Sequence, residues 1–165
     1  MIRKASIVLF ISVIVSGCVT NNGASSGTNI QVKGPGYQAV VKAARKHNVD
    51  VRLALAVAKA ESGGNCKARS SKNAKGVMQV IPSTGRKHGV RKSNALYNCN
   101  IGAEVGIKEL KYCLRLAGGN RPKALTCYNA GPGWLTSRRY KGRNIPSETR
   151  KYIKNITGKN VRKVT

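Results

Sequence analysis

Acidic residues are scarce in this chain of 165 residues. Asp and Glu number 5 against 31 Lys and Arg, which gives a formal net charge of +26 at pH 7. A chain with this balance attracts polyanions, a group that includes nucleic acid, anionic lipid and acidic cell-wall polymers. The basic residues are scattered along the sequence, and this pattern fits a solvated cationic surface as well as a dedicated polyanion groove.

Trp and Phe are scarce, and strand-like alternation and Cys-x-x-Cys motifs are missing. With one Trp and one Phe, the chain has few stacking platforms for bases, so nucleic acid is not an expected partner. No segment alternates strictly between apolar and polar residues, which argues against a β fold. Because there is no Cys-x-x-Cys spacing and the two histidines are not placed as ligands, we expect no metal and no cofactor.

The first 17 residues are typical of an export signal. A short basic head is followed by an apolar stretch at residues 5–15, which is too short to span a membrane as a mature helix. The tetrapeptide Val15-Ser16-Gly17-Cys18 resembles the lipobox of bacterial lipoproteins, in which the cysteine receives lipid and becomes the first mature residue. An ordinary signal peptide that happens to contain a cysteine is the alternative.

Composition divides the remaining chain into three parts. Residues 18–36, rich in Asn, Gly, Ser and Thr, are predicted to be a lipidated N-terminus and flexible linker. Residues 37–158 carry the apolar periodicity of a single folded domain, and residues 159–165 are a basic C-terminal tail. Lipid on Cys18 would tether the domain to a membrane, because burial of acyl chains supplies affinity.

Four cysteines remain if Cys18 carries lipid. An even number in an exported chain indicates two disulfides, and four cysteines allow three pairings that sequence alone does not separate. Helical reasoning favours Cys113–Cys127, which would join two helices across a short turn. Cys66–Cys99 would then tie two loops together.

The folded part is predicted to be mainly helical, with a small loop or hairpin lobe at residues 66–81. Asp50 is a good N-cap for the helix that follows it, and Gly63 and Gly64 are expected to end that helix. Ser147 is expected to cap the last helix. The predicted helices cover residues 37–47, 51–62, 82–88, 101–116, 122–130 and 148–156, with a further helical turn at 134–139.

Glu61 differs from the other four acids in its position. It follows Val57 by four residues and Leu53 by eight, so it lies on the apolar face of its helix. Burial there and the C-terminal end of the helix dipole would raise its pKa and keep the carboxyl able to donate a proton. A buried salt bridge to one of the many basic residues is the alternative.

Glycoside cleavage is a reaction that uses a Glu with a raised pKa. Most glycosidases need two carboxylates, and no other acid in this sequence falls in a comparable position. This favours a mechanism in which the substrate provides the missing group.

At residues 37–156 the chain resembles the soluble lytic transglycosylase family, whose catalytic domain has a goose-lysozyme-like helical fold. Five motifs carry the resemblance in the family's order, and together they are far more specific than any one of them. They are Glu61-Ser62, Gly76-Val77-Met78-Gln79 with Val in place of Leu, Asn100-Ile101-Gly102 with Gly106 and Leu110, Tyr128-Asn129-Ala130-Gly131, and Glu148-Thr149-Arg150 with Tyr152.

The resemblance implies a catalytic role for Glu61. It would protonate the glycosidic oxygen between N-acetylmuramic acid and N-acetylglucosamine, and then take a proton from the muramoyl 6-hydroxyl as that oxygen closes onto C1. The product would be a 1,6-anhydro sugar formed without water. The substrate's own N-acetyl group would stabilise the cationic centre, which is consistent with the missing second carboxylate.

The resemblance also implies a substrate-binding set. In this set, Ser62 would orient Glu61 or hold the acetamido group, and Met78 and Gln79 would line the sugar cleft. The full set is Ser62, Met78, Gln79, Tyr128, Asn129 and Tyr152.

Three members of this set come from the last two motifs. Tyr128 and Asn129 would position the substrate, with the Tyr128 hydroxyl bonded to the Glu61 carboxyl, and Tyr152 would complete the pocket. Each has a plainer alternative. The tyrosines are also typical of core aromatics with a wet edge, Asn129 of a helix C-cap and Met78 of a core residue.

Two rival functions remain open at this level: a goose-type lysozyme that uses water, and a non-catalytic cationic lipoprotein that binds the wall. In every case the expected partner is peptidoglycan, and the expected location is the cell envelope. A lipid on Cys18 would place the protein on the periplasmic face of the outer membrane. The small size also resembles family members that serve secretion or other envelope-spanning machines.

Overall fold

The structure is a computed structural model that describes residues 30–163. The predicted export signal, Cys18 and most of the predicted linker lie outside these residues. No helix within the described range is both long and apolar enough to cross a membrane.

The described chain is mainly helical, which confirms the predicted fold class. Strand-like pairing within residues 30–163 is limited to isolated bridges. The α-helices are α1 (Pro35–Lys46), α2 (Val51–Ser62), α3 (Pro82–Lys87), α4 (Cys99–Leu116), α5 (Arg121–Ala130), α6 (Gly133–Thr136) and α7 (Ser147–Thr157), and two 3-10 helices cover Ser93–Tyr97 and Arg138–Tyr140.

Helix α2 has the bounds that the sequence predicted. The Asp50 carboxylate accepts a hydrogen bond from the Leu53 amide at 2.7 Å, so Asp50 is the N-cap. Gly63 ends the helix in the left-handed conformation, with φ of 62°. The buried face between these ends consists of Leu53, Ala54, Val57 and Ala58.

Three local predictions need correction. Helix α1 begins at Pro35 and buries Gly36, so the predicted linker ends earlier than expected. Ser147 is the first residue of α7 rather than its cap, because Pro146 occupies the N-cap position with φ of −50°. The 3-10 helix at residues 93–97 was not predicted, since such short turns have no apolar period.

The core forms where α1, α2, α4, α5 and α7 meet. Helix α4 packs against α1 and α5, whereas α7 packs against α5 and α2. A second, smaller apolar cluster lies between α4 and α5 around Cys113, Ala117, Ala124 and Cys127. The long helix α4 therefore supports both clusters.

Two disulfides join the pairs that were expected. Cys113 in α4 is bonded to Cys127 in α5. Cys66, in the loop after α2, is bonded to Cys99. Cys99 is the first residue of α4 rather than part of a loop, so this disulfide fixes the loop lobe to the longest helix.

The segment after α7 folds back onto the domain as far as it is described. The Ile145 amide donates to the Arg162 carbonyl at 2.8 Å, and Val161 packs against the main core. Residues 159–163 thus do not behave as the separate basic tail that composition predicted.

Candidate active site

Glu61 lies on the last turn of α2 and is partly buried. The Tyr152 hydroxyl, which comes from α7, donates a hydrogen bond to Glu61 Oε1 at 2.7 Å. Residues 91 positions apart in the sequence are brought together here, because α2 and α7 pack against each other. The carboxyl is therefore held in one orientation by a single neutral donor.

Burial raises the pKa of Glu61 from 4.5 to about 7. The hydrogen bond from Tyr152 lowers this pKa and the negative charge of Glu148 raises it, but burial is the largest effect. A carboxyl with a pKa near neutrality is partly protonated and partly ionised at pH 7. It can therefore give up and take back a proton at similar cost.

Glu148 and Tyr152 act on Glu61 from the same helix. They are four residues apart in α7, which places them on one face. The Glu148 side chain is largely exposed and pairs with Lys72 at 3.5 Å. Sequence reasoning assigned Glu148 only to a motif and missed its electrostatic effect, although its spacing from Tyr152 was readable.

Tyr128 does not form the hydrogen bond to Glu61 that was expected of it. Its hydroxyl donates to the Met78 carbonyl oxygen at 2.8 Å, and Tyr152 forms the bond to the carboxyl instead. Burial and the charge of Glu61 raise the pKa of both tyrosine hydroxyls well above the usual value. Both tyrosines are thus neutral hydrogen-bond donors.

Ser62 and Met78 also have roles other than the expected ones. The Ser62 hydroxyl donates to the Val77 carbonyl at 2.8 Å, which ties the end of α2 to the loop lobe. The Met78 side chain is completely buried in the main core, so it does not line an open cleft. Its plainer alternative, a core methionine, describes this structure.

Gln79 holds the loop lobe in shape. It adopts a positive φ of 46°, which is uncommon for a residue other than glycine. Its side-chain amide donates to the carbonyl oxygens of Ala68 and Gly76, at 3.2 and 3.0 Å. The side chain remains partly exposed.

Asn129 links α5 to α7. Its side-chain oxygen accepts a hydrogen bond at 2.7 Å from the hydroxyl of Thr149, a buried residue that the sequence analysis placed in a motif without a role. The C-cap of α5 is Gly131, so Asn129 is not the cap that the alternative proposed. The bond fixes α7, and with it Tyr152, against the end of α5.

The remaining acids are engaged elsewhere. Asp50 pairs with Arg121, Glu104 with Lys46, His47 and Lys108, and Glu109 with Lys87 and His88. Lys108 follows Glu104 by four residues, so that pair lies within α4, whereas the partners of Glu109 come from the end of α3.

The sequence profile of the family described as Transglycosylase SLT domain matches residues 38–153, a range that contains the whole of this site. This chain belongs to the SLT transglycosylase domain family. The match begins within α1 and ends one residue after Tyr152. The family resemblance predicted from the five motifs is thereby confirmed.

Curated relatives support the assignment to the SLT family. The chain is 34% identical over 133 residues to the soluble lytic murein transglycosylase of Salmonella typhimurium, and this alignment covers 68% of the chain and 20% of the relative. It is 33% identical over 123 residues to the protein of the same name from Escherichia coli, covering 62% of the chain and 19% of the relative. This SLT domain chain therefore spans about a fifth of the length of these relatives.

Solved structures support the same fold for this SLT domain. The 70 kDa soluble lytic transglycosylase of Escherichia coli matches with a TM-score of 0.64 and 28% identity, covering 72% of this chain and 22% of that one. An inactive mutant of the lytic transglycosylase Slt of Pseudomonas aeruginosa matches with a TM-score of 0.61 and 26% identity over the same shares.

Proposed function

We propose that this protein is a peptidoglycan lytic transglycosylase that cleaves the β-1,4 bond between N-acetylmuramic acid and N-acetylglucosamine and forms a 1,6-anhydro sugar. The observation that carries this proposal is the state of Glu61. It is a partly buried carboxyl with a pKa of about 7, bonded to Tyr152, and it has no second acid beside it in a comparable environment.

Glu61 performs both proton transfers in this mechanism. In its protonated form it donates to the glycosidic oxygen, and the N-acetylglucosamine part leaves with a free 4-hydroxyl group. The resulting carboxylate then accepts the proton of the muramoyl 6-hydroxyl while that oxygen bonds to C1. The proton gained in the second step replaces the one lost in the first, so no water is consumed.

The surroundings of Glu61 suit one residue with two roles. A pKa near the working pH makes neither protonation state costly, and this is the condition for efficient general acid and base catalysis. The hydrogen bond from Tyr152 stabilises the carboxylate that exists between the two steps. Glu148 is exposed and paired with Lys72, so it does not serve as a second catalytic carboxylate in this proposal. The substrate's own N-acetyl group stabilises the cationic centre instead.

The residues around Glu61 act mainly by positioning it. Ser62 fixes the end of α2 to the loop lobe, and Asn129 with Thr149 fixes α7. Gln79 and Tyr152, both partly exposed, contact the sugar in this proposal. Tyr128 supports the loop lobe through the Met78 carbonyl.

The cell envelope is the proposed location, because the relatives are named as enzymes that act on murein. Lipid attachment at Cys18 would hold the enzyme on the periplasmic face of the outer membrane. Mass spectrometry of the mature protein from bacterial membranes tests this, since an acylated Cys18 at the N-terminus is the expected form. The proposal also includes an interaction with a secretion machine or another machine that spans the envelope.

The activity is tested by digesting purified peptidoglycan with the wild-type protein and its Glu61→Gln variant, followed by mass analysis of the released fragments. We expect products lighter by one water than hydrolytic products, and we expect none from the variant, whose amide cannot transfer the proton. One of the matching solved structures is of an inactive mutant in which a glutamate is replaced by glutamine. Asp50→Asn is the matched control, because asparagine keeps the helix cap.

Three outcomes would contradict the proposal in different ways. Hydrated reducing ends released by the wild-type protein would assign it as a lysozyme that uses water. Release of anhydro products by Glu61→Gln at the wild-type rate would remove Glu61 from the mechanism. Wall binding without release by either protein would indicate a non-catalytic binder.

A further inference from the structure

A pocket lies outside the Glu61 site, between the end of α4, the start of α5 and α6. Its volume is about 520 Å³. The side chains that define its character are Leu116, Lys123, Trp134, Arg138 and Lys141. None of the residues around Glu61 lines it.

The apolar wall of this pocket contains the single Trp of the chain. Trp134 is partly exposed and stacks on Tyr140, with ring centroids 4.4 Å apart and an angle of 22° between the rings. Leu116, which lies beside it in the pocket, is 39% exposed. An indole held in place by stacking and facing an open pocket is a flat, rigid surface of the kind on which ring-shaped ligands stack.

The rest of the pocket is cationic. Lys123, Arg138 and Lys141 line it, and no acidic residue does. All five acids of the chain lie within the described residues, and each contacts a group away from this pocket: Asp50 with Arg121, Glu61 with Tyr152, Glu104 with His47, Glu109 with His88 and Glu148 with Lys72. An anionic ligand would therefore meet no like charge here.

Packing and a disulfide hold the residues beneath the pocket in place. Leu135, next to Trp134, packs on the small apolar cluster between α4 and α5, and the Cys113–Cys127 disulfide crosses that cluster. Helix α5 connects the two sites, because Lys123 near its start lines the pocket and Asn129 near its end is bonded to Thr149 of α7, the helix that carries Tyr152. Asn129 follows Lys123 by six positions in the α-helix, a rise of about 9 Å.

We propose that this pocket binds a stretch of peptidoglycan strand away from the bond that is cut. The sugar rings stack on Trp134, and the carboxylates of the lactyl and peptide-stem groups pair with Lys123, Arg138 and Lys141. The ligand is thus an anionic glycan, for which an aromatic face beside cations is complementary. The identity of the strand rests on the proposed function, and the pocket holds the enzyme on insoluble wall.

Trp134 provides a direct measurement of binding, because all tryptophan fluorescence of this chain comes from it. The experiment uses the full-length Glu61→Gln protein, which leaves the strands uncut. It is titrated with soluble peptidoglycan strands that carry peptide stems, with the same strands after removal of the stems, and with single-stranded DNA. We expect saturable quenching by the stem-bearing strands and about tenfold weaker binding without the stems or in high salt.

Variants then separate the pocket from general attraction by charge. Arg138→Gln with Lys141→Gln keeps the fluorophore, and we expect it to weaken strand binding about tenfold. Lys151→Gln with Lys154→Gln removes the same charge from α7, away from the pocket, and should leave binding within about twofold. Trp134→Ala is expected to reduce retention on insoluble wall to a similar extent. If Trp134→Ala does not fold, the double variant Arg138→Gln with Lys141→Gln still tests the pocket, because both of its residues are exposed.

Equal binding by the two double variants would overturn the pocket proposal, as would quenching by DNA but not by strands. The proposed function is measured separately, through anhydro products released from short strands by the wild-type protein. If those products form and the pocket variants bind like the control, the pocket proposal alone fails. If no such products form, the failure is that of the proposed function.

Discussion

At the scale of single residues, the structure assigns different roles to Tyr128 and Tyr152, which the sequence alone could not distinguish. Both lie near Glu61, but Tyr152 donates to its carboxyl and Tyr128 donates to the Met78 carbonyl. The first bond acts on the proton-transferring group, whereas the second holds the loop lobe. Substitution of each by phenylalanine should therefore have different consequences.

Tyr152→Phe removes a hydrogen bond that lowers the pKa of Glu61, so this pKa should rise further. The alkaline limb of the pH profile of kcat/KM should then move to higher pH. We expect kcat to fall by about two orders of magnitude, because the carboxylate formed between the steps loses its donor. Kinetics on soluble strands across pH 5–9 measure both effects.

Tyr128→Phe is the matched comparison. It leaves the buried Met78 carbonyl without its donor and should cost about 1–3 kcal/mol of unfolding free energy. The alkaline limb should stay in place, because no hydrogen bond to Glu61 is lost. A shift of that limb equal to the shift in Tyr152→Phe would contradict the assignment of the two roles.

Glu148 offers a test of the electrostatics. Its negative charge raises the pKa of Glu61, so Glu148→Gln should lower that pKa. Glu61 would then be protonated over a narrower range of pH. The alkaline limb of kcat/KM should move down by roughly half a pH unit at low ionic strength, and less in salt, because Glu148 is exposed. Asp50→Asn removes the same charge elsewhere and should not move the limb. If the alkaline limb is unchanged in both variants, Glu148 does not influence the pKa of Glu61.

At the scale of secondary-structure elements, one glycine explains how close α4 lies to the loop lobe. A Cβ at Gly106 would collide with the Met78 side chain and lie 3.2 Å from the Tyr128 hydroxyl. The absence of a side chain in α4 therefore creates the space in which Met78 is buried. Met78 in turn places the carbonyl that accepts the bond from Tyr128.

Gly106→Ala should destabilise the fold by about 1–3 kcal/mol, because the surrounding core is packed and cannot absorb a methyl group without strain. Activity should fall as well, since Met78 and Tyr128 must shift. Gly133→Ala is the control, because its added Cβ would lie 3.6 Å from Tyr140, an ordinary contact. Thermal unfolding of both variants measures the difference. Equal unfolding temperatures would show that α4 can move away from the loop lobe.

At the scale of the whole molecule, the net charge and the disulfides have opposite effects on the stability of the compact fold. A formal net charge of +26 favours expansion through self-repulsion. Two disulfides oppose this by joining the loop lobe to α4 and α4 to α5. The acids other than Glu61 form ion pairs between elements, such as Glu104 of α4 with His47 just after α1. Burial raises the pKa of Glu104, but hydrogen bonds from His47 and Lys46 outweigh it and lower the pKa to about 2.

Much of this arrangement was predictable from local sequence. Asp50, the apolar face of α2 and Gly63 defined that helix to the residue, and they placed Glu61 on its inner side. The spacing of the cysteines around the Gly118–Asn120 turn favoured the Cys113–Cys127 pair. These features depend on neighbours within about a dozen residues, which is the range over which helix periodicity and capping act.

The sequence by itself determined the main α-helices, both caps of α2 and the one carboxyl turned toward the interior, because backbone hydrogen bonding and amphipathic period are local. Tertiary structure decided which tyrosine binds Glu61, that Met78 is core, that residues 159–163 fold back, and that Trp134 stands beside three cations. Each of those outcomes depends on how α4, α5, α6 and α7 pack. Packing joins residues far apart in the chain, and their geometry follows from side-chain volumes that no local pattern contains.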